Sequence, residues 1–339
     1  AQDVLDQSDI AFLCLRPQHA DTVLSPLTFR ADHRVVSVMA GVSQDRLREI
    51  CAPATDFSQM IPLGFLQSGG CPLAVCGNDT LLAKLKVDTS VAPVTRFFKG
   101  GTSEAVARFE RFLEVRLPHY DAHSNQPQTD DVSHMSPYLH FGQISPLYLA
   151  HRIGQVPTKR AGQANIDAYL EQLIVRRELA INSVSYRKDY DSYTVIPEWA
   201  RQSLGKHAAD ERDPCYSLAQ LEKAQTHDDY WNAAMLEMVH TGFMHNYMRM
   251  YWGKKIIEWS PSPKEAFERT LYLNNKYFLD GRDPNSYASV AWLYGVHDRG
   301  WPERPIFGKV RYMAASGLER KCDIKAYVRK IKDRIRHSS

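Results

Sequence analysis

The chain has 339 residues, 44% hydrophobic and 24% charged, with a net charge of +3. That length holds one large domain or two, and that balance excludes an intrinsically disordered chain. No apolar run reaches transmembrane length and no basic-then-apolar leader opens the chain, so a soluble, intracellular protein is expected.

Residues 1–86 carry three short apolar runs, Ile10–Leu15, Arg34–Met39 and Leu73–Cys76, bounded by Gly, Pro and Asp as strands are. Between them DRLREI (45–50) follows a capping Ser43 and predicts a helix. Together they predict a small α/β layer with a short parallel sheet. The six cysteines (14, 51, 71, 76, 215, 322) show no paired zinc spacing, so reduced structural thiols are expected and no metal site. VDTSVAPVT, from Val87, reads as a Pro-punctuated linker that opens a second domain, 87–339.

SEAVARFERFLEVRLPHY (103–120) has apolar residues at helical spacing, with Ser103 as the N-cap and Pro118 as the stop. DAHSNQPQTDD (121–131) reads as a loop. SHMSPYLHFGQISP (133–146) offers hydroxyls, a helix-starting Pro137 and free backbone N–H groups, which serve equally as ordinary capping or as an anion site. Helix 167–180, DAYLEQLIVRRELA, sets Gln172, Arg176 and Leu179 along one face, while Glu171 points about 100° away from Gln172. Residues 190–234 form an irregular span in which His207 and His227 lack a spaced partner and are expected to be structural or exposed.

The stretch from Trp231 to Trp292 holds four of the six tryptophans. Its first half is free of proline and apolar at helical intervals, so it predicts helix, with Gly242 as a possible interruption. Trp252 and Trp259 are seven apart and share a face, and a continuous helix would add Trp231 to it. Such a stripe serves as core or as a series of indoles for electron hopping, and periodicity does not choose between the two. Asn246 and Arg249 lie three apart on one side of the helix. Beyond Trp292, residues 295–313 form a Gly- and Pro-broken loop with Trp301, Arg304 and Arg311. From Trp301 onward eleven Lys and Arg stand against four Asp and Glu, a local +7 that leaves −4 for the rest. This is a solvated helix face or the footprint of a phosphate-binding surface.

The ordered set SPYLHFGQIS (136–145), LIVRREL (173–179), KHAADER (206–212), THDDYWNAA (226–234), LEMVHTGFMHNYMRMYW (236–252), YLNNKY (272–277), LDGRDPN (279–285) and GVHDR-W (295–301) resembles class II cyclobutane pyrimidine dimer photolyases. The resemblance covers the chain from Val87 onward. It implies a mainly α fold: a helical FAD-binding domain preceded by the small α/β region, acting as a monomer on DNA that contains pyrimidine dimers. Residues 1–86 are much shorter than the antenna domain of photolyases and do not match it residue by residue, the largest departure from the family.

By the same resemblance, Tyr120, Ser133 and Ser136 hold the FAD diphosphate and Arg177 is a phosphate partner. Arg249 pairs with Asp280 against the isoalloxazine, beside Asn246. Asn274 meets flavin N5, and Asp280, Gly281 and Arg282 line the flavin's polar edge. Trp252, then Trp231 or Trp259, re-reduces the flavin. Arg176 and Trp292 contact the lesion strand and the dimer, while Trp301 and Arg311 fill the gap left by a flipped lesion and Asp298 braces their loop. Gln172 stands where photolyases commonly have a Glu that hydrogen-bonds the dimer. An amide still donates to a carbonyl but has no carboxyl proton to share, which favours a cryptochrome-like photoreceptor as the alternative to a repair enzyme.

Overall fold

The computed structural model describes residues 1–39, 42–61, 74–77 and 90–336, in two compact units. The first unit comprises residues 1–90 with 141–143, and the second comprises 91–140 with 144–339. The sequence boundary at 86/87 falls outside the described residues.

In the first unit, strands β1 (Ile10–Leu13), β2 (Arg34–Ser37), β3 (Asp56–Ile61) and β4 (Ala74–Gly77) form a sheet in that order. β1, β2 and β3 are parallel, and β4 joins antiparallel to β3. The sequence reading missed β3 because its alternation is broken by Ser58 and Gln59 among few apolar residues. Leu73, at the start of the third expected strand, lies outside the described residues. The helix over Gln44–Ile50 forms as expected, with the Ser43 hydroxyl accepting the Arg46 amide. Leu47 from that helix packs with Leu13, Val35 and Phe57 from the sheet in one core.

The second unit is helical. Its helix over Thr102–Arg111 is capped at Gly101 (φ 120°), so Ser103 sits inside the first turn and does not cap it. The coil widens into a π-turn at Phe112–Arg116, tightens at Leu117–His119 and ends as a short helix at Tyr120–His123. Pro118 therefore tightens the helix without ending it, since proline fits a first turn that needs no N–H from it. The expected loop begins only after His123.

Two long helices build the centre. The first, Asp229–Thr241, is capped by Asp228, whose carboxylate accepts the Tyr230 and Trp231 amides at 2.9 and 3.0 Å. It stops at Gly242, which takes a left-handed φ of 69° that a side chain would resist. The second, Asn246–Trp259, starts at His245, whose Nδ1 accepts the Tyr247 amide at 3.2 Å. Pro263–Tyr277 and Pro284–Leu293 both open on a proline behind a capping Ser262 or Asp283. Trp231, Trp252 and Trp259 are buried in the large core that these helices share with Met235, Phe267 and Tyr294. At Gly253 a β-carbon would overlap the Leu293 side chain, so the helix Pro284–Leu293 sits directly on the Asn246–Trp259 backbone.

No helix among the described residues is long and apolar enough to cross a membrane.

Candidate functional site

Arg249 lies in the first turns of the Asn246–Trp259 helix, and the Phe278–Asp283 turn comes up beside it. The Arg249 guanidinium meets the Asp280 carboxylate at 3.1 Å and lies 3.7 Å over the Phe278 ring. Both charged side chains are almost buried, 13% and 12% exposed, so removing either one alone would strand a buried charge. The turn is fixed by the Leu279 amide on Gly242 O (2.9 Å) and the Gly281 amide on Phe278 O (3.0 Å). Gly281 has no room for a side chain, since a β-carbon would come 2.9 Å from Phe278 O and 3.0 Å from Asn274 O.

Asn274 is fully buried, and its amide donates to Ser286 Oγ at 2.7 Å and accepts from the same hydroxyl at 3.1 Å. Arg282 turns back at φ 68° and donates to Asn275 O at 2.8 Å. The helix N-terminal residue Asn246 is exposed. Arg249, Asn274, Asp280, Gly281 and Arg282 thus gather around one turn, with the donors Arg249 Nε and Trp252 Nε1 buried and without a hydrogen-bond partner.

A second group centres on a residue the sequence reading missed, Tyr169. Its ring packs 5.3 Å from Tyr120, and its hydroxyl donates to Ser133 Oγ at 3.2 Å. Burial pushes the Tyr120 phenol up to about 12, so it is a neutral donor at any physiological pH. Ser136 opens the short helix Ser136–His140. His140, also missed, reaches Asp283 at 3.4 Å and ties this helix to the Asp280 turn. No spacing in the sequence connects 140 with 283.

Gln172 and Arg176 do not lie on a regular α-helix. The backbone between Gln163 and Tyr186 widens to a π-turn over Glu171–Arg176. Its i→i+5 pattern sets residues five apart side by side, and Glu171 accordingly pairs with Arg176 at 3.1 Å. Gln172, Arg176 and Leu179 are exposed, whereas Arg177 is only 19% exposed and stands 4.0 Å from Glu178. The following helix, Arg177–Tyr186, packs on the helix Pro284–Leu293 that carries Trp292.

The three central tryptophans meet in a different order from their spacing along one helix. Trp252 lies 6.4 Å from Phe278, edge to face. Trp231 crosses from the neighbouring helix to donate its indole N–H to Trp252 O at 2.9 Å. Trp231 and Trp259 are 5.7 Å apart, and Trp259 is followed by Tyr216 (5.5 Å) and the exposed His227 (5.3 Å). Ring contacts thus join Phe278, under Arg249, to Trp252, and Trp231 to Trp259 and the surface, while the link between Trp252 and Trp231 is the hydrogen bond to the Trp252 carbonyl. Rings this close can pass an electron in short hops.

Of the five residues expected at the DNA, Trp292, Asp298, Trp301 and Arg311 form one cluster. Asp298 pairs with Arg311 at 3.1 Å and accepts the Trp301 indole N–H at 3.3 Å. The Arg311 guanidinium lies 4.5 Å from the Trp301 ring and 5.9 Å from Trp292, and Arg299 stands 5.6 Å from the other indole, Trp301. Lys254, buried beneath, donates to Leu293 O at the end of the Trp292 helix, and burial brings its ammonium down to about 7.

No family model matches the sequence. The chain is 55% identical over 239 residues to a deoxyribodipyrimidine photo-lyase of Methanothermobacter thermautotrophicus, a match covering 70% of this chain and 51% of the relative. Photo-lyases of that name from Oryza sativa and Potorous tridactylus are 44% and 42% identical over 75% and 83% of this chain, and over 51% and 50% of their own lengths. The chain thus spans about half the length of the curated relatives it matches. In fold it is similar to a bacterial class III photolyase from Agrobacterium tumefaciens, with a TM-score of 0.60 at 17% identity over 75% of this chain and 49% of that one. It is also similar to a Synechocystis cryptochrome, with a TM-score of 0.53 at 16% identity over 73% of this chain and 47% of that one. By this extended sequence identity, joined to the shared fold, the chain belongs to the deoxyribodipyrimidine photo-lyase family.

Proposed function

We propose that the chain repairs cyclobutane pyrimidine dimers in DNA under light, with FAD held in the helical region. The observation that carries this reading is the aromatic series ending at a buried Arg249–Asp280 pair, in a chain of this family. The residues fit the cofactor: Arg249 Nε and Trp252 Nε1 are buried donors without partners beside the Asp280 turn. Reduced FAD, when bound, supplies the photoexcited electron that opens the cyclobutane ring.

The chain's own part is positioning and charge. Arg249 and Asp280 set a fixed, water-poor field beside the ring system, and Gly281, Arg282 and Asn274 line its polar edge. Tyr120, Ser133, Ser136 and Arg177 hold the phosphates by hydroxyl and guanidinium donors, and Asn246, at the start of the Arg249 helix, joins them at the cofactor. Trp252, Trp231 and Trp259 conduct electrons inward from the surface. Trp292 packs on the flipped dimer. Trp301 and Arg311, braced by Asp298, fill the space it leaves, and Arg176 binds the strand backbone. Residues 87–339 form the flavin- and DNA-binding domain and 1–86 the α/β region, and the protein works as a monomer wherever the cell keeps its DNA, cytoplasm or nucleus.

Gln172 favours a second reading, a flavin photoreceptor of cryptochrome type that does not repair, because the amide cannot share a proton with the dimer. Incubating dimer-containing DNA with reduced, FAD-loaded protein under blue light separates the two. Dimers that persist refute repair, and purified protein without flavin absorption refutes both readings.

A further inference from the structure

KHAADER (206–212), to which the sequence assigns no chemistry, lies against the loop that carries Trp301. His207, one residue past the Glu198–Lys206 helix, stands between two carboxylates. Its Nδ1 is 2.7 Å from Asp210, and its Nε2 is 3.1 Å from Glu303 on the loop. The same Asp210 oxygen accepts the Ile306 amide at 2.7 Å, and Ser203 Oγ, four residues before His207, accepts the Lys309 amide at 2.7 Å.

Between these anchors the chain makes a tight hairpin, in which Arg304 and Gly308 exchange backbone hydrogen bonds of 3.0 and 2.8 Å. Gly308 turns at φ 51° so close to Ser203 and His207 that a β-carbon would not fit. The Trp301 amide closes the hairpin on Lys309 O at 2.8 Å. Phe307, inside the turn, and Val310, just past it, are buried in the core, while Pro302, Glu303, Arg304 and Pro305 are exposed. Beside that apolar anchor, the polar ties that hold Glu303, Ile306 and Lys309 come from residues 203–210.

The geometry points to His207 as a positioning residue: by bridging Asp210 to Glu303 it locks the 301–309 hairpin in the pose that presents Trp301 to a DNA duplex. This rests on the repair reading above. A neutral imidazole has one N–H and can donate to one carboxylate, whereas the imidazolium donates to both. Asp210 and Glu303 raise the proton affinity of His207 above its ordinary value, and Lys206, Lys309 and Arg212 are the other charges facing the cluster. The bridge is therefore complete below the ordinary imidazole pKa and loses one of its two arms as pH rises through the raised value.

A dimer in single-stranded DNA leaves no gap to fill and needs no wedge, so the bridge matters for duplex substrate alone. The test measures dark binding of FAD-loaded protein to a dimer-containing duplex and to the same dimer single-stranded. It compares wild type, His207→Gln and Glu303→Gln at about pH 6 and about pH 9. Amide-exchange protection of Ile306 and Lys309 is followed without DNA. Duplex affinity is expected to fall about tenfold in either variant at the lower pH, the equivalent of one charge-assisted hydrogen bond. The same fall is expected in wild type on raising the pH, with single-strand affinity unchanged and hairpin protection reduced in parallel. Equal losses on duplex and single strand, or hairpin protection indifferent to pH and to both variants, overturn the role. A wild-type protein with pH-sensitive hairpin protection that binds neither DNA overturns the repair reading and the presenting role together.

Discussion

Asp280→Ala takes away the carboxylate that meets Arg249 at 3.1 Å while leaving the guanidinium largely enclosed. Breaking a buried pair from one side costs roughly 3–5 kcal/mol, because a charge is left without compensation. Here the side chains keep 13% and 12% exposure, and Arg249 keeps its place over Phe278 at 3.7 Å, so the lower end applies, about 3 kcal/mol. Arg249→Met removes the ion pair and also the cation–π contact, the latter worth roughly 0.5–2 kcal/mol. The double variant leaves no stranded charge and should recover about 2 kcal/mol of the summed losses, a coupling within the range for residues in contact. Urea unfolding followed by tryptophan fluorescence gives the four stabilities, and flavin absorbance after gel filtration gives cofactor retention. Single losses below about 1 kcal/mol that simply add would mean a surface-type ion pair, and the site would not be organised around it.

Trp231→Phe keeps most of the packing but cuts the series between Trp252 and Trp259, so light-driven reduction of bound flavin should stop while dark binding of dimer DNA persists; unchanged photoreduction would redirect the path. Its stability loss should reach roughly 0.5–1.5 kcal/mol, since the hydrogen bond of the indole to the Trp252 carbonyl is lost. Gln172→Glu should raise the yield of dimer splitting without altering flavin absorption, and an unaltered yield would clear Gln172 as a limit on repair. His245 is buried, and that burial, together with the charge of Lys330, brings its imidazole down to about 4. Its folded value is below the unfolded one, so stability is present above about pH 6.5 and declines as pH falls toward about 4. His245→Asn, which retains a capping oxygen for Tyr247, should flatten that decline in denaturant midpoints measured across the range.

The sequence carried the helix Gln44–Ile50 and the central helices because capping residues, prolines and helical spacing act locally. It carried the Arg249–Asp280 pair through family motifs, since nothing in the spacing of 249 and 280 brings them together. What escaped it was long-range or irregular. Tyr169 and His140 gain their roles from partners 36 and 143 residues away. The π-turn at Glu171–Arg176 has no residue signature, and it makes Glu171 a neighbour of Arg176 where α-periodicity sets them apart. The Trp252–Trp231–Trp259 order depends on two helices separated by Gly242, so a single-helix stripe groups the three indoles without their order in space.

Gly253 gives the two ends of this chemistry a common ruler. One missing methyl lets the helix bearing Trp292 rest on the backbone next to Trp252, so under the proposed function the gap between a base stacked on Trp292 and the electron's way in would be set by a hydrogen atom's width. Gly253→Ala would lever those helices apart at that seat. Electron supply and lesion docking would then drift out of step together, although no residue of either had been touched.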